Sequence, residues 1–333
     1  MSNRALTVSI VGATGMVGRE LLDVLEKRRF PTGKLYCFSS GESRKSVRFR
    51  GKALPAPGID RKALESSDLV FFVSADEVSA RFAQGLAAKG VWVIDDSSAF
   101  RLDPKVPLVI PEVNARDLSP QKRLIAGPNC TMTGLAVAAY GLHKNAKVTA
   151  VRMASYQAVS GAGKAAVQEF LSQNRGEKTR PRALPRPIAF NVFPQVGGFD
   201  AAGNSSEENK VAAELRKIWG APRLKVSATA VRVPVLRGHS LAAWVTLARA
   251  LSPEKARKIM RVTEGLELSP GLNYPTPLSC ANRWPVFAGR VRAGTHSKEL
   301  ALWIVSDNLL KGAALNSVQI AEYLLHRGWL KKR

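Results

Sequence analysis

Leu6-Thr-Val-Ser-Ile-Val-Gly-Ala-Thr-Gly-Met-Val-Gly18 is a β-branched, apolar run that ends in glycines and passes straight into Glu20-Leu-Leu-Asp-Val-Leu-Glu26, where the apolar residues take helical spacing. Strand, glycine turn and helix in that order are the opening unit of a nucleotide-binding sheet. The glycines let the backbone approach a pyrophosphate, and the free N–H groups of the helix N-terminus hold it. The spacing is Gly-x-x-Gly-x-x-Gly rather than the commoner Gly-x-Gly-x-x-Gly, and a glycine triplet also makes plain tight turns, so the flanking strand and helix carry the argument. The next strand candidate, Lys34 to Phe38, ends in Ser39-Ser-Gly-Glu-Ser-Arg-Lys45. In such folds this strand end meets the adenosine ribose, where an acid accepts from the 2′-hydroxyl or a basic residue meets a 2′-phosphate. Both residue types occur here.

Outward from that unit the alternation continues. Asp68 to Val73 reads as a strand, Val78 to Ala88 as a helix, Val91 to Asp95 as a strand, and the chain returns to the sheet at Leu124 after the stretch Pro107 to Asn114. Strands alternating with helices predict a doubly wound parallel sheet, with ligands beyond the strand ends. Arg101 lies just past one such end and is a candidate anion clamp. Leu124-Ile-Ala-Gly-Pro-Asn-Cys130 then places Cys130 where a strand ends and an apolar helix begins. A thiol there feels the positive end of the helix dipole, which favours the reactive thiolate, and the same N–H groups suit an oxyanion. A lone free cysteine is more commonly a small buried filler, so the rest of the chain must support the reading.

The second half has another texture. Lys147 to Gln157, Leu224 to Val235, Ser240 to Leu247 and Glu299 to Val305 are strand candidates, interspersed with helices at Ala162 to Ser172, Ser206 to Trp219 and Pro253 to Val262. This pattern predicts an α+β domain with a mixed sheet. Ser205 followed by Glu208 fits a capping box, and Ala313 to His326 reads as a final amphipathic helix.

Composition bounds the alternatives. The 333 residues are 45% hydrophobic and 23% charged, ordinary globular material with length for two cores. No apolar run approaches the roughly 20 residues of a membrane helix, and the start lacks a signal peptide's apolar region, so a cytoplasmic protein is expected. Cys37, Cys130 and Cys280 have no metal-ligand spacing, and no metal is expected. The net charge of +24 raises nucleic acid as a partner, yet it is spread thinly, and its densest stretch, Arg175 to Arg186, reads as a solvated loop without a nucleic-acid motif. Attraction of anionic substrates is the reading kept.

A thiol nucleophile needs an acid/base. Of the four histidines, His143, His296 and His326 have no special company, whereas His239 lies in Val231-Arg-Val-Pro-Val-Leu-Arg-Gly-His239, where Pro234 and Gly238 break the strand and gather Arg232, Arg237 and His239 at its turn. A nucleotide turn, a thiolate candidate, a histidine and several arginines together suggest hydride transfer to or from a covalent thioester.

Through Val11 to Gly18, Ser98 to Arg101, Gly127 to Cys130, Ser155-Tyr-Gln-Ala-Val-Ser-Gly-Ala-Gly-Lys164, Ile188 to Gln195, Arg232 to His239, Tyr274 to Leu278 and Ser306 to Leu309, the sequence resembles the aspartate-β-semialdehyde dehydrogenase family over nearly its whole length. The resemblance implies attack of Cys130 on β-aspartyl phosphate, loss of phosphate, and reduction of the thioester by NADPH to aspartate semialdehyde. It implies His239 as general acid/base, Gln157 as the amide that orients substrate, and Arg232 as the grip on the substrate carboxylate. Glu207 keeps the place of the carboxylate for the substrate amine, and Lys210, Arg101 and Asn129 those of the phosphate ligands. Cofactor contacts are implied at Gly12, Thr14, Gly15, Met16, Val17, Gly18, Ser39, Ser40, Ser160, Gly161 and Asn308.

The family pattern further implies a Rossmann-like NAD(P)-binding domain of residues 1–130 that regains the C-terminal helix at about 311–333, and a catalytic and dimerisation domain of residues 131–310. The partners implied are the small-molecule substrate, a homodimer with a tetramer as the alternative, no membrane and no specific nucleic acid. Departures exist: Thr131-Met-Thr-Gly134 follows the cysteine where Ser-Thr-Ile-Gln is more usual, and Leu310 stands where an arginine is usual. Ser40-Gly41-Glu42 replaces Ala/Ser-Arg-Ser, so Glu42 makes NAD the alternative to NADP. N-acetyl-γ-glutamyl-phosphate reductase shares the chemistry but usually carries Pro-Gly-Cys, against Asn129 here. A non-catalytic paralogue is opposed by the presence of Cys130, Gln157 and His239.

Overall fold

The computed structural model describes residues 5–40, 45–177 and 182–332, and the chain divides into two compact units. Unit one comprises Met1–Pro128 with Ala313–Arg333, and unit two Asn129–Gly312.

In unit one, β1 (Leu6–Val11) runs into α1 (Met16–Lys27), followed by β2 (Thr32–Phe38), the hairpin of β3 (Ser46–Phe49) and β4 (Lys52–Pro55), and α2 (Arg61–Glu65). Then come β5 (Leu69–Phe72), α3 (Asp76–Ala88), β6 (Trp92–Asp95), the short α4 (Pro111–Asn114) and β7 (Leu124–Ala126). Five strands form a parallel sheet in the order β2-β1-β5-β6-β7. Every residue of β5, β6 and β7 is buried, as expected of strands covered on both faces. The stretch Pro107 to Asn114 gives a single bridge from Leu108 to Ala126 before α4, because Pro111 closes the strand and starts the helix.

Unit two opens with α5 (Cys130–Ala138) and α6 (Tyr140–Ala146) and continues through β8 (Val148–Gln157), α7 (Lys164–Asn174), α8 (Ser206–Ile218), β9 (Lys225–Arg232) and β10 (His239–Leu247). It closes with α9 (Pro253–Arg261), β11 (Leu266–Leu268), α10 (Pro277–Cys280), β12 (Val286–Ala293) and β13 (Glu299–Ser306). Its six strands form a mixed sheet, β11-β12-β13-β10-β8-β9, with β8 and β9 parallel and β10 antiparallel to both its neighbours. The doubly wound sheet and the mixed second sheet are the architecture expected. Sequence reading missed β3, β4, β11 and β12: three are four residues or fewer, and β12 carries Gly289, Arg290 and a register shift that interrupt any alternation.

A π-helical turn, Leu310–Ala314, leads into α11 (Leu315–His326). Within unit one α11 packs on α1, α4 and β6, pinned by the Arg28–Glu322 ion pair at 2.6 Å and by Asn316 Nδ2 donating to the Val109 carbonyl at 2.9 Å. Among the described residues no helix is long and apolar enough to cross a membrane.

Candidate active site

Asn129 caps α5: its side-chain oxygen accepts from the N–H groups of Thr131 (2.8 Å) and Met132 (3.1 Å), which makes Cys130 the first residue of the helix. Thr131 to Ala138 are all buried, so this N-terminus is fixed inside unit two while Cys130 itself stays half-buried. Cys37 and Cys280 are buried, and burial pushes both thiols up, Cys37 to about 12. Cys130 is therefore the thiol placed for chemistry.

Cys130 Sγ lies 3.4 Å from His239 Nε2. His239 opens β10, which antiparallel pairing holds between β8 and β13. The Ala158 N–H donates to His239 Nδ1 at 3.1 Å, so that nitrogen carries no proton and the neutral ring presents Nε2–H to the sulfur. Burial, reinforced by the Arg232 charge, pushes the imidazole pKa down to about 3, so the ring is neutral at physiological pH. The arrangement sets a ring N–H at the sulfur, a hydrogen bond that favours the thiolate over the thiol.

Arg232 ends β9, is 4% exposed, and donates from Nη1 to the Ala158 carbonyl at 2.7 Å. Burial lowers its pKa, while Cys130 and Glu207 oppose that shift. Its Nε is buried without a hydrogen-bond partner among the described residues. An unpaired donor on a buried guanidinium is what a bidentate carboxylate satisfies. A Cβ on Gly161 would come within 3.1 Å of the His239 ring and 3.2 Å of Arg232 Nη1, so this glycine keeps the space between them open.

Glu207, on the first turn of α8, joins two expected site residues, Gln157 and Asn129, and the unexpected Thr131. Its Oε1 accepts from Gln157 Nε2 and from Thr131 Oγ1, both at 3.1 Å, and its Oε2 from Asn129 Nδ2 at 2.9 Å. Thr131 thus keeps a hydroxyl donor despite departing from the family's serine. Asn129, expected to meet phosphate, has its oxygen engaged in the helix cap and its amide group directed at Glu207. Lys210 lies three residues beyond Glu207 on the same helix and is half-buried. The capping box expected at Ser205 and Glu208 is present and starts α8.

Sequence reading missed Glu214. It is 1% exposed, on the inner stripe of α8 beside Val211, Leu215 and Ile218, and its Oε2 accepts the Asn129 backbone N–H at 2.6 Å. A glutamate on an apolar stripe was the available signal. Gly312 was missed too: a Cβ there would stand 2.8 Å from that of Cys130. Ser160 and Asn308, expected at the cofactor, hydrogen-bond each other at 3.0 Å, and Asn308 Oδ1 accepts the Gly238 N–H at 2.9 Å, which fixes the entry to His239.

In unit one, α1 starts at Met16 with Gly15 at its N-cap, no side-chain cap and no acid in its first turn. Gly12 has φ of +92°, and a Cβ there would stand 2.4 Å from the Val73 carbonyl; one on Gly18 would stand 2.3 Å from the Gly12 carbonyl. An uncapped helix end behind a turn with no room for a side chain at Gly12 or Gly18 fits the pyrophosphate of a dinucleotide. Thr14, Met16 and Val17 are half-buried around it, Ser39 turns its hydroxyl to the Ala56 carbonyl at 2.6 Å, and Ser40 is exposed. Glu42 and Arg44 lie outside the described residues. Arg101 is half-buried and donates from Nη2 to the Asp96 carbonyl at 2.7 Å. Among the described residues no His, Cys, Asp and Glu group could hold a metal.

Comparison with known proteins gives concordant matches. The family model described as the NAD binding domain of semialdehyde dehydrogenase matches residues 7–121, and that of the semialdehyde dehydrogenase dimerisation domain matches residues 140–311. Aspartate-semialdehyde dehydrogenase of Synechocystis is 39% identical, covering 98% of this chain and 99% of its own. That of Aquifex aeolicus is 40% identical over 96% and 98%. The crystal structure of aspartate semialdehyde dehydrogenase II of Vibrio cholerae complexed with ASA superposes with a TM-score of 0.93 at 36% identity, covering 97% of this chain and 98% of its own.

Proposed function

The chain belongs to the aspartate-semialdehyde dehydrogenase family, and from that membership we propose that it catalyses the reversible, NADP-dependent reductive dephosphorylation of β-aspartyl phosphate to aspartate semialdehyde through a thioester on Cys130. The observation that carries the mechanism is the Cys130 Sγ to His239 Nε2 contact of 3.4 Å beside the buried Arg232. The Cys130 thiolate attacks the acyl carbonyl, phosphate departs with the C–O bond, and a thioester remains. Bound NADPH supplies the hydride. The resulting alkoxide re-forms its carbonyl as the C–S bond breaks, and the electron pair returns to sulfur, where His239 Nε2–H stabilises it. The cycle needs no net proton from the ring.

Arg232 holds the substrate carboxylate, Glu207 its ammonium, and Gln157 orients the acyl group. Lys210, Arg101 and Asn129 are the phosphate ligands that family membership suggests. Gly12, Thr14, Gly15, Met16, Val17 and Gly18 hold the cofactor, with Ser39, Ser40, Ser160, Gly161 and Asn308. NADP over NAD is favoured by the exposed Ser40 hydroxyl and by the charges of Arg44 and Lys45, against Glu42, while the Ser39 hydroxyl is engaged by the Ala56 carbonyl. The product feeds biosynthesis of lysine, threonine, methionine and isoleucine in the cytoplasm, and the working form is a homodimer.

The deciding experiment is NADP⁺ reduction with aspartate semialdehyde, with and without phosphate. Phosphate-dependent turnover is expected. Turnover only with N-acetylglutamate semialdehyde, or turnover indifferent to phosphate, would overturn the reading. Measuring kcat/KM for both cofactors on wild type and Glu42→Ser tests the cofactor: a wild type preferring NAD⁺ that shifts to NADP⁺ on substitution reverses that assignment.

A further inference from the structure

Asp96 follows the last residue of β6, and the mechanism leaves it without a role. Its side chain nevertheless meets two separate parts of unit one, and its carbonyl a third. Oδ1 accepts from the Ser317 hydroxyl of α11 at 2.5 Å. The same oxygen lies against Gly127, where an added Cβ would come within 2.2 Å, so the glycine that opens the Gly127-Pro-Asn-Cys130 turn leaves room for this carboxylate. The Asp96 carbonyl accepts from Arg101 Nη2 at 2.7 Å. Although the residue as a whole is half-buried, its Oδ2 is closed off from solvent and has no hydrogen-bond partner among the described residues.

Two charged groups bear on it: Asp95 on its own strand end opposes its ionisation, and Arg101 favours it. α11 brings the Ser317 hydroxyl, and the turn after β7 brings a glycine.

We propose that Asp96 is a positioning residue that sets the anion affinity of Arg101, holding the arginine through its carbonyl and opposing a bound oxyanion through its carboxylate. The proposal rests on Arg101 as a phosphate ligand. An oxyanion at Arg101 and a charged Asp96 repel, so each favours the state in which the other is discharged or absent. Anion binding and protonation of Asp96 are therefore linked, and the linkage is reciprocal. Burial places the titration at about pH 6, where it can be followed.

Sulfate is the probe, because it keeps its charge from pH 5 to 8 while phosphate changes its own. Its inhibition constant against phosphate is measured across that range in the semialdehyde oxidation assay. Wild type should bind sulfate on the order of fivefold more tightly below pH 6 than at pH 7.5. Asp96→Asn should bind it at the tight level throughout, with KM for phosphate falling more than kcat changes. Ser317→Ala removes the bond that favours the carboxylate and should move the midpoint to higher pH, which tests the idea even where Asp96→Asn does not fold. An unaltered pH slope in Asp96→Asn, or an unmoved midpoint in Ser317→Ala, overturns the proposal. Arg101→Ala separates the two readings: sulfate inhibition that survives it removes Arg101 as the ligand, whereas inhibition lost in Arg101→Ala beside an unaltered slope in Asp96→Asn refutes the Asp96 role alone.

Discussion

His239 decides how the Cys130 thiol behaves with pH. A free histidine titrates near 6.5, but this ring is buried beside Arg232, pushed down to about 3, and fixed by the Ala158 N–H with its proton on Nε2. The alkylation rate of Cys130 by iodoacetamide should follow one ionisation, that of the thiol, with no second inflection near pH 6.5. His239→Ala removes the hydrogen bond to the thiolate and should move that single inflection upward, whereas His239→Gln, which keeps an N–H donor, should recover part of the shift. Cys130→Ala should abolish turnover and leave cofactor binding intact, measured by fluorescence titration. Arg232→Lys keeps the charge but loses the planar fork, and should weaken use of the semialdehyde by roughly 1.5–3 kcal/mol in kcat/KM. Asp96 carries a stability consequence too. Its folded pKa lies above the ordinary carboxylate value, so the fold loses stability as pH rises from about 4 to about 6, and the loss is then complete and constant at higher pH. Asp96→Asn should accordingly raise stability above pH 7 by about 1–3 kcal/mol, discounted for the residue's partly open setting, and less at pH 5, measured by urea unfolding.

α8 is the element on which the site's polar groups depend. The capping box at Ser205 and Glu208 starts it, and Glu208 Oε1 also accepts the Ala230 N–H of β9 at 2.8 Å, joining the helix to the strand that ends at Arg232. Glu207, Lys210 and Glu214 are then carried at helical spacing. Ser205→Ala should lose about 1 kcal/mol of stability. Glu214→Ala leaves the Asn129 N–H buried without its acceptor and should cost about 1–3 kcal/mol, with kcat reduced because the cap that places Cys130 loosens. Glu214→Gln keeps an acceptor and should recover much of both. Stopped-flow hydride transfer beside chemical denaturation separates the two effects, and unchanged hydride transfer in Glu214→Ala would show that the acid serves stability alone. The local part of this element was legible: Ser-x-x-Glu is read within four residues. Glu214's partner was not, because it lies 85 residues away.

At the scale of the molecule, the six-stranded sheet of unit two packs one face on α5, α8 and α9. Arg152, Ala154 and Tyr156 of β8, Trp244 of β10 and Trp303 of β13 lie on the other, and all of them remain at least partly exposed in a single chain. Tyr156 and Trp303 make a tilted ring pair with centroids 5.7 Å apart. Aromatic residues with an arginine are the composition of an interface core. With the proposed homodimer formed through this face, Trp244→Glu should shift the protein to monomer in light scattering while each chain keeps its far-UV circular dichroism. A wild type already monomeric at micromolar concentration would remove the dimer.

Local rules settled the alternation of the longer strands and helices, the glycine turn before α1, the capping box of α8, and a cysteine at a helix start, because each depends on residues within a few positions of one another. Resemblance then implied the roles proposed for them. Tertiary structure alone brought Cys130 within 3.4 Å of a histidine 109 residues along, opened space through Gly161 and Gly312, and turned Asn129 into a cap held by Glu207 and Glu214. It also set the direction in which the His239 and Asp96 titrations are shifted, since those depend on burial and on charges from other segments. Desolvation and long-range contact are properties of packing, and no window of sequence contains them.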